Sequence, residues 1–222
     1  SYTVYANNTG GSATAVLTIE ILEAPPSSIT YVPGSFTLTK GTPLGAVTVT
    51  AQGDPVDVWS ISPTLPLGLV FDTTNGELSG TPTAVSPLTT YTVTATNNGG
   101  SGTTTITIQV NDVAPSSITY TPNFLELNKD TLMTTVTPTN QGGDVETWSI
   151  SPTLPNGLIF DASTGSISGT PTDVTAQATY TVTGINTGGS ATAAVTIIVN
   201  DAAPTSIVYT PSSFTLTLGS EM

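Results

Sequence analysis

The sequence predicts an all-β fold made of short strands packed in two layers. Three observations predict it. Apolar residues alternate with Thr or Ser at every second position, Gly, Pro and Asn separate these runs, and the same pattern recurs along the chain. Apolar side chains with the spacing of an amphipathic helix are not found in any part of the sequence.

The chain repeats itself with a period of 89 residues. Ile29, Ile118 and Ile207 occupy the same place in SSITY, SSITY and TSIVY, and the intervals are 118 − 29 = 89 and 207 − 118 = 89. Trp59 and Trp148 are separated by 148 − 59 = 89 residues as well. A fixed period of this length is the signature of a tandem array of domains.

The repeats predict two complete domains between two partial ones. The complete copies run over 24–112 and 113–201. Residues 1–23 are expected to be the C-terminal part of a preceding repeat, and residues 202–222 the N-terminal part of a following one. The two parts together lack the middle of a repeat. We therefore expect either that the chain belongs to a longer array or that neighbouring molecules complete its ends.

One set of aromatic residues departs from the period. Phe36, Phe124 and Phe214 are separated by 124 − 36 = 88 and 214 − 124 = 90 residues. The second copy is therefore expected to lose one residue before Phe124 and to regain one before Trp148. Such compensated changes are tolerated in loops.

The strands of the first complete copy can be placed in order from the alternation. The candidates are Ser28 to Val32, Phe36 to Thr39, Ala46 to Ala51, Val56 to Ser62, Leu69 to Asp72, Glu77 to Ser79, Tyr91 to Thr96 and Thr105 to Val110. Turn signals such as Asn75-Gly76 lie between them, where Gly supplies a positive φ. Trp59 is expected in the core, with Ile61 on the same strand face. Seven or eight short strands in a copy, one of them carrying a Trp, are typical of an immunoglobulin-like β-sandwich, so we predict tandem domains of that type.

Two motifs carry a family resemblance. They are LPLGLVFDTTNGELSGTPT (Leu65 to Thr83) and LPNGLIFDASTGSISGTPT (Leu154 to Thr172), and YTVTATNNGGSGTTTITIQV (Tyr91 to Val110) fits the same pattern. The chain resembles the immunoglobulin-like repeat family of bacterial surface proteins, which is related to dystroglycan-type cadherin-like domains. The resemblance implies an extracellular spacer or adhesive array. It says little about activity, because one fold serves many functions.

Composition excludes several classes of function. Lys and Arg number 2 against 15 Asp and Glu, a net charge of −13, so no basic patch for nucleic acid or an anionic membrane is possible. The chain has no His and no Cys, which removes Ser-His-Asp triads, Cys nucleophiles, the usual zinc ligands and disulfides. No apolar run approaches the roughly 20 residues of a membrane-spanning helix. The acidic residues lie in repeated turns, and we expect no enzyme activity.

Acidic residues recur at the seams between copies and in the loop before each Trp strand. Carboxylates that converge on backbone carbonyls suit Ca²⁺, which takes six to eight oxygen ligands. Two candidate inter-domain calcium sites follow, one formed by Glu23, Asp54 and Asp57, and the other by Asp112, Asp144 and Glu146. The alternative is that these residues are solvated turn residues. No other cofactor is expected.

The two lysines occupy the same turn of each copy. Lys40 and Lys129 are 129 − 40 = 89 residues apart, and Asn111 and Asn200 close the last strand of each copy. A Lys–Asn isopeptide bond is one possibility at these positions. The favoured interpretation is an exposed lysine that pairs with an acidic residue at the seam, Asp112 in the first copy.

The sequence thus predicts a structural repeat module of a secreted or cell-surface protein, an adhesin stalk or a fibre or filament subunit that acts as spacer and scaffold. Its partners would be neighbouring copies of the repeat, with filament self-assembly as a variant. The alternative is a carbohydrate- or ligand-binding accessory module of a larger extracellular protein, recognising a polysaccharide or host-surface ligand. That alternative needs exposed aromatic residues, for which Tyr5, Tyr31, Tyr120 and Tyr209 are the candidates.

Overall fold

The structure is a computed structural model that describes residues 1–210, 212–213, 215 and 218–219. The chain divides into two compact units, Ser1–Val113 and Ala114–Met222. All regular elements of the described residues are β-strands, so the predicted all-β fold is confirmed. No helix in this part of the chain has the length and apolar character needed to cross a membrane.

The first unit begins with a separate hairpin. Its strands are β1 (Tyr2–Asn8) and β2 (Gly11–Leu17), which pair with each other in antiparallel orientation. Every residue of both strands is exposed. The strands carry the same alternation of residues as Tyr91 to Val110, but no described residue covers their apolar side chains.

The rest of the first unit is a two-layered sandwich. One layer has the strand order β4-β11-β10-β7, and the other is formed by the pair β3-β6 and the triplet β5-β9-β8. Strand β4 runs parallel to β11, and all other pairs are antiparallel. The strands are β3 (Ser27–Tyr31), β4 (Ser35–Thr39), β5 (Leu44–Val47), β6 (Val49–Gln52), β7 (Val58–Ser62), β8 (Leu69–Phe71), β9 (Leu78–Gly80), β10 (Ser86–Asn97) and β11 (Gly100–Asn111).

The single strand expected at Ala46 to Ala51 is divided in two. Strand β5 ends at Val47 and pairs with β9, whereas β6 begins at Val49 and pairs with β3. The chain changes its pairing partner at Thr48, and a change of partner cannot be read from alternation alone.

The core of the first unit draws side chains from both layers. Tyr91, Val93 and Ala95 are buried and alternate with Thr residues, as the pattern predicts. Trp59 is buried in the same cluster, and Ile61 packs against it. Burying one large aliphatic or aromatic side chain contributes about 1.5–3 kcal/mol, so this cluster is the main source of the unit's stability.

The second unit repeats the four-stranded layer, with the order β13-β19-β18-β15. The opposite layer is reduced to the pairs β12-β14 and β16-β17 and an isolated bridge between Val136 and Ile167. Trp148 packs against the buried cluster of this unit. The strands are β12 (Thr119–Tyr120), β13 (Phe124–Asn128), β14 (Pro138–Thr139), β15 (Thr147–Ser151), β16 (Leu158–Phe160), β17 (Ile167–Gly169), β18 (Thr175–Asn186) and β19 (Gly189–Asn200).

The expected loss of one residue before Phe124 is wrong. Phe36 pairs with Ile108 in the first unit, and Leu125 pairs with Ile197 in the second, so Leu125 takes the place of Phe36 at the full interval of 125 − 36 = 89. Leu125 is 5% exposed and Phe36 4%, whereas Phe124 is 46% exposed. Neighbouring side chains of a strand face opposite sides, so only one of the two residues can fill the core.

Candidate functional site

The chain enters the first sandwich through a short segment, residues 23–26, that we call the leading segment. The backbone N–H of Ala24 donates a hydrogen bond of 2.7 Å to the Asp54 carboxylate, and the N–H of Glu23 donates one of 2.9 Å to the side-chain oxygen of Asn98. The carbonyl of Ala24 accepts from the side-chain nitrogen of Asn97 at 2.9 Å. The leading segment is therefore fixed to the loop before β7 and to the turn between β10 and β11.

Asn97 is the central polar residue of this end of the unit. It is buried, its side-chain nitrogen also donates to the Pro55 carbonyl at 3.4 Å, and its side-chain oxygen accepts from the N–H of Gly99 at 3.0 Å. A buried amide must be hydrogen-bonded to be tolerated, and these contacts satisfy both of its ends.

The second unit contains the matching residue, Asn186. It is buried and bonds to the Asp144 carbonyl at 2.9 Å and to the N–H of Gly188 at 2.8 Å. Sequence reasoning missed this pair, although the recurrence of Asn at 186 − 97 = 89 residues was visible.

The second strand of each sandwich lies beside the last strand and runs parallel to it. In the first unit, Ser35–Thr39 of β4 pair with Thr107–Asn111 of β11, and the N–H of Lys40 extends the contact to the Asn111 carbonyl at 2.8 Å. In the second unit, β13 pairs with β19 in the same way, and the N–H of Lys129 bonds to the Asn200 carbonyl at 2.8 Å. We call each of these pairings the terminal ladder.

The lysine of the first unit forms the expected ion pair. Its Nζ atom lies 3.6 Å from Oδ1 of Asp112, and its side chain is 44% exposed. An exposed pair of this kind contributes at most about 1 kcal/mol. In the second unit the amide of Asn200 donates to the Glu126 carboxylate at 3.0 Å. A Lys–Asn isopeptide bond stays a prediction that the intact mass can test.

The acidic residues of the first predicted calcium set have different surroundings. The Asp54 carboxylate binds the Ala24 N–H, and the backbone N–H of Asp57 donates to the Thr96 carbonyl at 2.9 Å. One carboxylate oxygen of Glu23 is buried without a hydrogen-bond partner among the described residues.

The second set is divided between the two units. Asp112 lies in the first unit, beside Lys40, while Asp144 and Glu146 lie in the second. The backbones of Asp144 and Glu146 help to hold the loop before the Trp strand, because the Asp144 carbonyl accepts from the Asn186 side chain and the Glu146 N–H donates to the Ile185 carbonyl, both at 2.9 Å. In the part of the chain that the structure describes, no three or more Asp, Glu, His or Cys side chains group where they could hold a metal ion. Calcium binding stays a prediction.

Two repeated acidic residues hold turns. Oδ1 of Asp72 accepts hydrogen bonds from the hydroxyl of Thr74 at 2.6 Å and from its N–H at 2.8 Å. The side-chain bond first, and then the backbone bond, lowers the pKa of Asp72 below its ordinary value. Asp161 makes the same two bonds to Ser163, at 2.7 and 2.8 Å, and its pKa is lowered for the same reasons.

A buried tyrosine fixes each of these turns to the core. The hydroxyl of Tyr31 donates to the Gly76 carbonyl at 2.5 Å, and burial raises the pKa of Tyr31 to about 12. Gly76 has a φ of 73°, and a Cβ atom there would lie 2.8 Å from Cδ2 of Trp59. The turn therefore rests directly on the indole ring, which only glycine allows.

The second unit repeats this contact between Tyr120 and Gly165, also at 2.5 Å, and burial raises the pKa of Tyr120 as well. Of the four tyrosines that an aromatic binding platform would need, Tyr31 and Tyr120 are thus buried, while Tyr5 and Tyr209 are exposed. Tyr31 and Tyr120 therefore cannot contribute to an exposed aromatic binding surface on the complete units.

Two packed sheets of short strands with a core Trp on one of them are the architecture of an immunoglobulin-like domain. The chain belongs to the "Putative Ig domain" family (He_PIG), whose model matches residues 25–111 and 114–200. The predicted repeat family is thereby confirmed, and the chain is a tandem pair of Ig-like repeat modules.

Curated relatives are adhesins. The chain is 29% identical over 190 residues to the "Serine-rich adhesin for platelets" of Staphylococcus aureus strain MSSA476, and equally to that of strain MRSA252. Each match covers 85% of this chain, which spans only 8% and 13% of the two relatives.

Solved structures that match the chain at low identity include multi-domain Ig proteins. The N-terminal four Ig domains of Dscam1 isoform 6.9 are 14% identical, with 86% of this chain and 52% of that chain covered and a TM-score of 0.49. Extracellular domains 3–5 of Drosophila OTK are 20% identical, with 86% and 67% covered and a TM-score of 0.45.

Proposed function

We propose that this chain is a load-bearing spacer in a secreted or cell-surface protein, as part of an adhesin stalk or an extracellular fibre. The observation that carries the proposal is the terminal ladder of each unit. A module strung in an array is pulled at its two ends; β11 is the last strand of the first sandwich, and β4 follows β3 close to its N-terminal end.

The parallel direction of the two strands decides how force acts on them. Pulling the ends apart drives β4 toward its N-terminus and β11 toward its C-terminus, so the strands must slide along each other. All bonds of the ladder are then loaded together, whereas a hairpin pulled from its open end loses its bonds one at a time. The hydrogen bonds of the leading segment add to this resistance.

Stretching single molecules of the full chain tests the proposal. We expect two unfolding events, each lengthening the chain by about 300 Å, because a matched region such as 25–111 holds 87 residues at ~3.5 Å each. Lys40→Pro removes the N–H that bonds to the Asn111 carbonyl at the end of the ladder, and Leu69→Val in β8 removes part of a core side chain outside the ladder, each at a cost of about 1 kcal/mol. Unfolding under force reflects the barrier rather than the equilibrium stability.

The two variants are expected to differ in the force at which the first unit unfolds. Lys40→Pro should lower the unfolding force of one event, and Leu69→Val should leave both forces unchanged. An equal fall of the force in both variants would show that the ladder is not the point of resistance, and the proposal would be abandoned.

The wider setting belongs to the same proposal. The relatives are adhesins by name, which supports an extracellular location and a scaffold in place of an enzyme. Neighbouring copies of the repeat would then be the main partners. Kinship with dystroglycan-type cadherin-like domains is also proposed, on the strength of the turn motif alone.

Binding of a polysaccharide or host-surface ligand stays a second proposal, taken from the name of the platelet adhesins. The buried positions of Tyr31 and Tyr120 do not favour it.

Calcium binding at the acidic loops is proposed with a direct test. A ligand that binds only the folded state, at about 100 times its Kd, stabilises that state by about 2.7 kcal/mol. Thermal melting of the full chain in CaCl₂ and in EDTA should therefore differ, and Asp57→Asn with Glu146→Gln should remove the difference. Identical melting curves in both solutions would reject calcium as a structural ligand.

A further inference from the structure

The four-stranded layer of the second unit ends at strand β13, beside a groove with apolar walls. The groove encloses about 440 Å³ and lies between β13 and the segment 131–136. Phe124 on the strand side is 46% exposed and Leu132 on the segment side is 74% exposed, whereas Met133, which also lines the groove, is buried. Large apolar side chains on both sides of the groove are thus in contact with water, and covering them would be favourable.

Strand β13 bonds to β19 through its odd-numbered residues. The Thr196 N–H donates to the Asn123 carbonyl at 2.8 Å, and the Lys129 N–H donates to the Asn200 carbonyl at the same distance. In a parallel pair, every second residue of a strand bonds to the partner, and the residues between them turn their N–H and C=O groups to the opposite side. The even-numbered residues of β13 therefore direct these groups away from β19.

The even-numbered residues of β13 face the groove. The Asn128 carbonyl accepts from the N–H of Thr131 at 3.2 Å, and Thr131 belongs to the segment on the other side of the groove. Within the described part of the chain, no backbone or side-chain group bonds to the N–H or C=O of Phe124 or Glu126. These groups form an open edge to which an extended chain can add as a strand.

The first unit has the same backbone edge with different side chains. There the Thr39 carbonyl accepts from the Thr42 N–H at 3.0 Å, as Asn128 accepts from Thr131 in the second unit. Three residues that line the groove have smaller or uncharged counterparts 89 residues earlier, namely Ser35 for Phe124, Thr37 for Glu126 and Pro43 for Leu132. The first unit therefore serves as an internal control for what these side chains add to the edge.

The charge at the groove favours a cationic partner. Among the described residues that line the groove, Glu126 alone is charged, and it lies on the exposed face of β13 together with Phe124. The whole chain carries a net charge of −13. A cationic segment is attracted by such a surface, and an anionic one is repelled.

We propose that β13 binds an extended cationic peptide segment of a partner protein, which adds to the free edge as a further strand. Apolar side chains at every second position of that segment would enter the groove beside Leu132 and Met133. A Lys or Arg between them would lie beside Glu126 on the exposed face of the sheet. The backbone bonds to Phe124 and Glu126 give affinity, and the groove and the carboxylate give specificity.

This binding is a function in addition to the proposed spacer role. It does not depend on that role, because resistance to force is assigned to the contact of β13 with β19, on the opposite edge of the same strand. The two proposals can therefore fail separately.

Titration of the isotope-labelled full chain with a synthetic peptide tests strand addition. The probe is a short blocked peptide with Val at every second position and Thr, Lys and Thr between. The amides of Phe124 and Glu126 should show the largest NMR shifts, and their hydrogen exchange should slow by about tenfold or more at saturation, because they gain partners. Ser35 and Thr37 form the control edge. Equal shifts at the control edge, or unchanged exchange at Phe124 and Glu126, would overturn the proposal.

Substitution of a groove residue tests the apolar contact. Leu132→Asp should weaken binding of the probe by about tenfold, the equivalent of one large apolar contact. Ile159→Asp is the matched control, because Ile159 is 62% exposed on β16 and does not line the groove. Both positions are exposed, and tryptophan fluorescence verifies that the units stay folded. An equal effect of the two substitutions, or none from Leu132→Asp, would also overturn the proposal.

Charge reversal tests the preference for a cation. A second probe with Glu in place of Lys should bind the parent chain several-fold more weakly, and Glu126→Lys should reverse the order of the two probes. An order that Glu126→Lys leaves unchanged would contradict the assigned partner.

Sedimentation without any probe tests whether a second copy of this chain occupies the edge instead. We expect Leu132→Asp to leave the sedimentation of the full chain unchanged. A mass that rises with concentration in the parent, and no longer rises in Leu132→Asp, would place a second copy in the groove and overturn the proposal.

Discussion

Removal of the Tyr31 hydroxyl tests whether the turn at Gly76 is held by a single buried hydrogen bond. Tyr31→Phe keeps the ring in the core but leaves the Gly76 carbonyl without its donor. A buried acceptor that loses its partner costs about 1–3 kcal/mol. For a domain of this size, 1 kcal/mol lowers Tm by roughly 4–8 °C, so we expect a fall of about 10 °C in the first unit.

The same variant changes the alkaline limit of stability. The pKa of Tyr31 is raised to about 12 from an ordinary 10.0, so above pH 10 the unfolded chain releases this proton before the folded chain does. The stability that the protonated Tyr31 hydroxyl contributes is fully present below pH 10 and is lost as the pH rises through 12. Two pKa units correspond to about 3 kcal/mol, and Tyr31→Phe should remove this part of the alkaline destabilisation.

The measurement needs a signal from the first unit alone. The chain has two tryptophans, one in each unit, so Trp148→Phe leaves Trp59 as the reporter. Denaturant unfolding followed by Trp fluorescence, at neutral pH and at pH 9 to 12, gives the free energy of unfolding in each background. Tyr5→Phe serves as control, because Tyr5 is exposed on the hairpin β1–β2.

Two results would refute the reasoning. The first is a free energy of unfolding for Tyr31→Phe within about 0.3 kcal/mol of the parent, below the cost of any lost buried hydrogen bond. The second is an unchanged slope of stability against pH above 10, which would show that the hydroxyl is not held protonated by the fold.

Three further predictions concern the turns and the leading segment. Gly76→Ala should destabilise the first unit by more than the roughly 1–2 kcal/mol that left-handed backbone costs an alanine, because the new Cβ would also press on Trp59. Thermal melting measures the loss, and Gly45→Ala is the control, since a Cβ atom at Gly45 would have no other atom within 4 Å. Asn97→Ala should speed amide hydrogen exchange at Glu23 and Ala24, and unchanged exchange there would contradict the role of Asn97 in fixing the leading segment. The pKa values of Asp72 and Asp161 are lowered in the folded state, so the stability that these carboxylates contribute is present above pH 3.8 and is lost as the pH falls through the folded-state pKa. Asp72→Asn with Asp161→Asn should therefore make stability depend less on pH in the acid range. An unaltered midpoint of acid unfolding would contradict this prediction.

The sequence predicts what depends on local pattern. Alternation places the central strands and the core position of Trp59, and the Asn-Gly pair predicts the turn with positive φ at Gly76. Alternation does not predict a strand's pairing when the partner strand lies far away along the sequence. The division of β5 from β6 depends on two different partners, and the parallel contact of β4 with β11 joins residues about 70 positions apart.

The error at Phe124 has the same origin. Matching aromatic residues suggested a shift, but burial is decided by which face of β13 meets the core, and Leu125 lies on that face. Asn97 was missed for a related reason. A polar residue in a Gly-rich turn is usually exposed, and only the packing of the leading segment against it makes it buried and fully bonded.

Comparison of the two units indicates what the fold must keep. Leu125 of the second unit takes the place of Phe36, and the terminal ladder still forms, so the fold tolerates a smaller side chain at this core position. The hydroxyl bond of the core tyrosine to a glycine carbonyl, by contrast, is present in both units across the same 45 residues. These polar contacts fix the turns and the ends of the module. A module that serves as a spacer depends more on ends that are held in place than on an identical core.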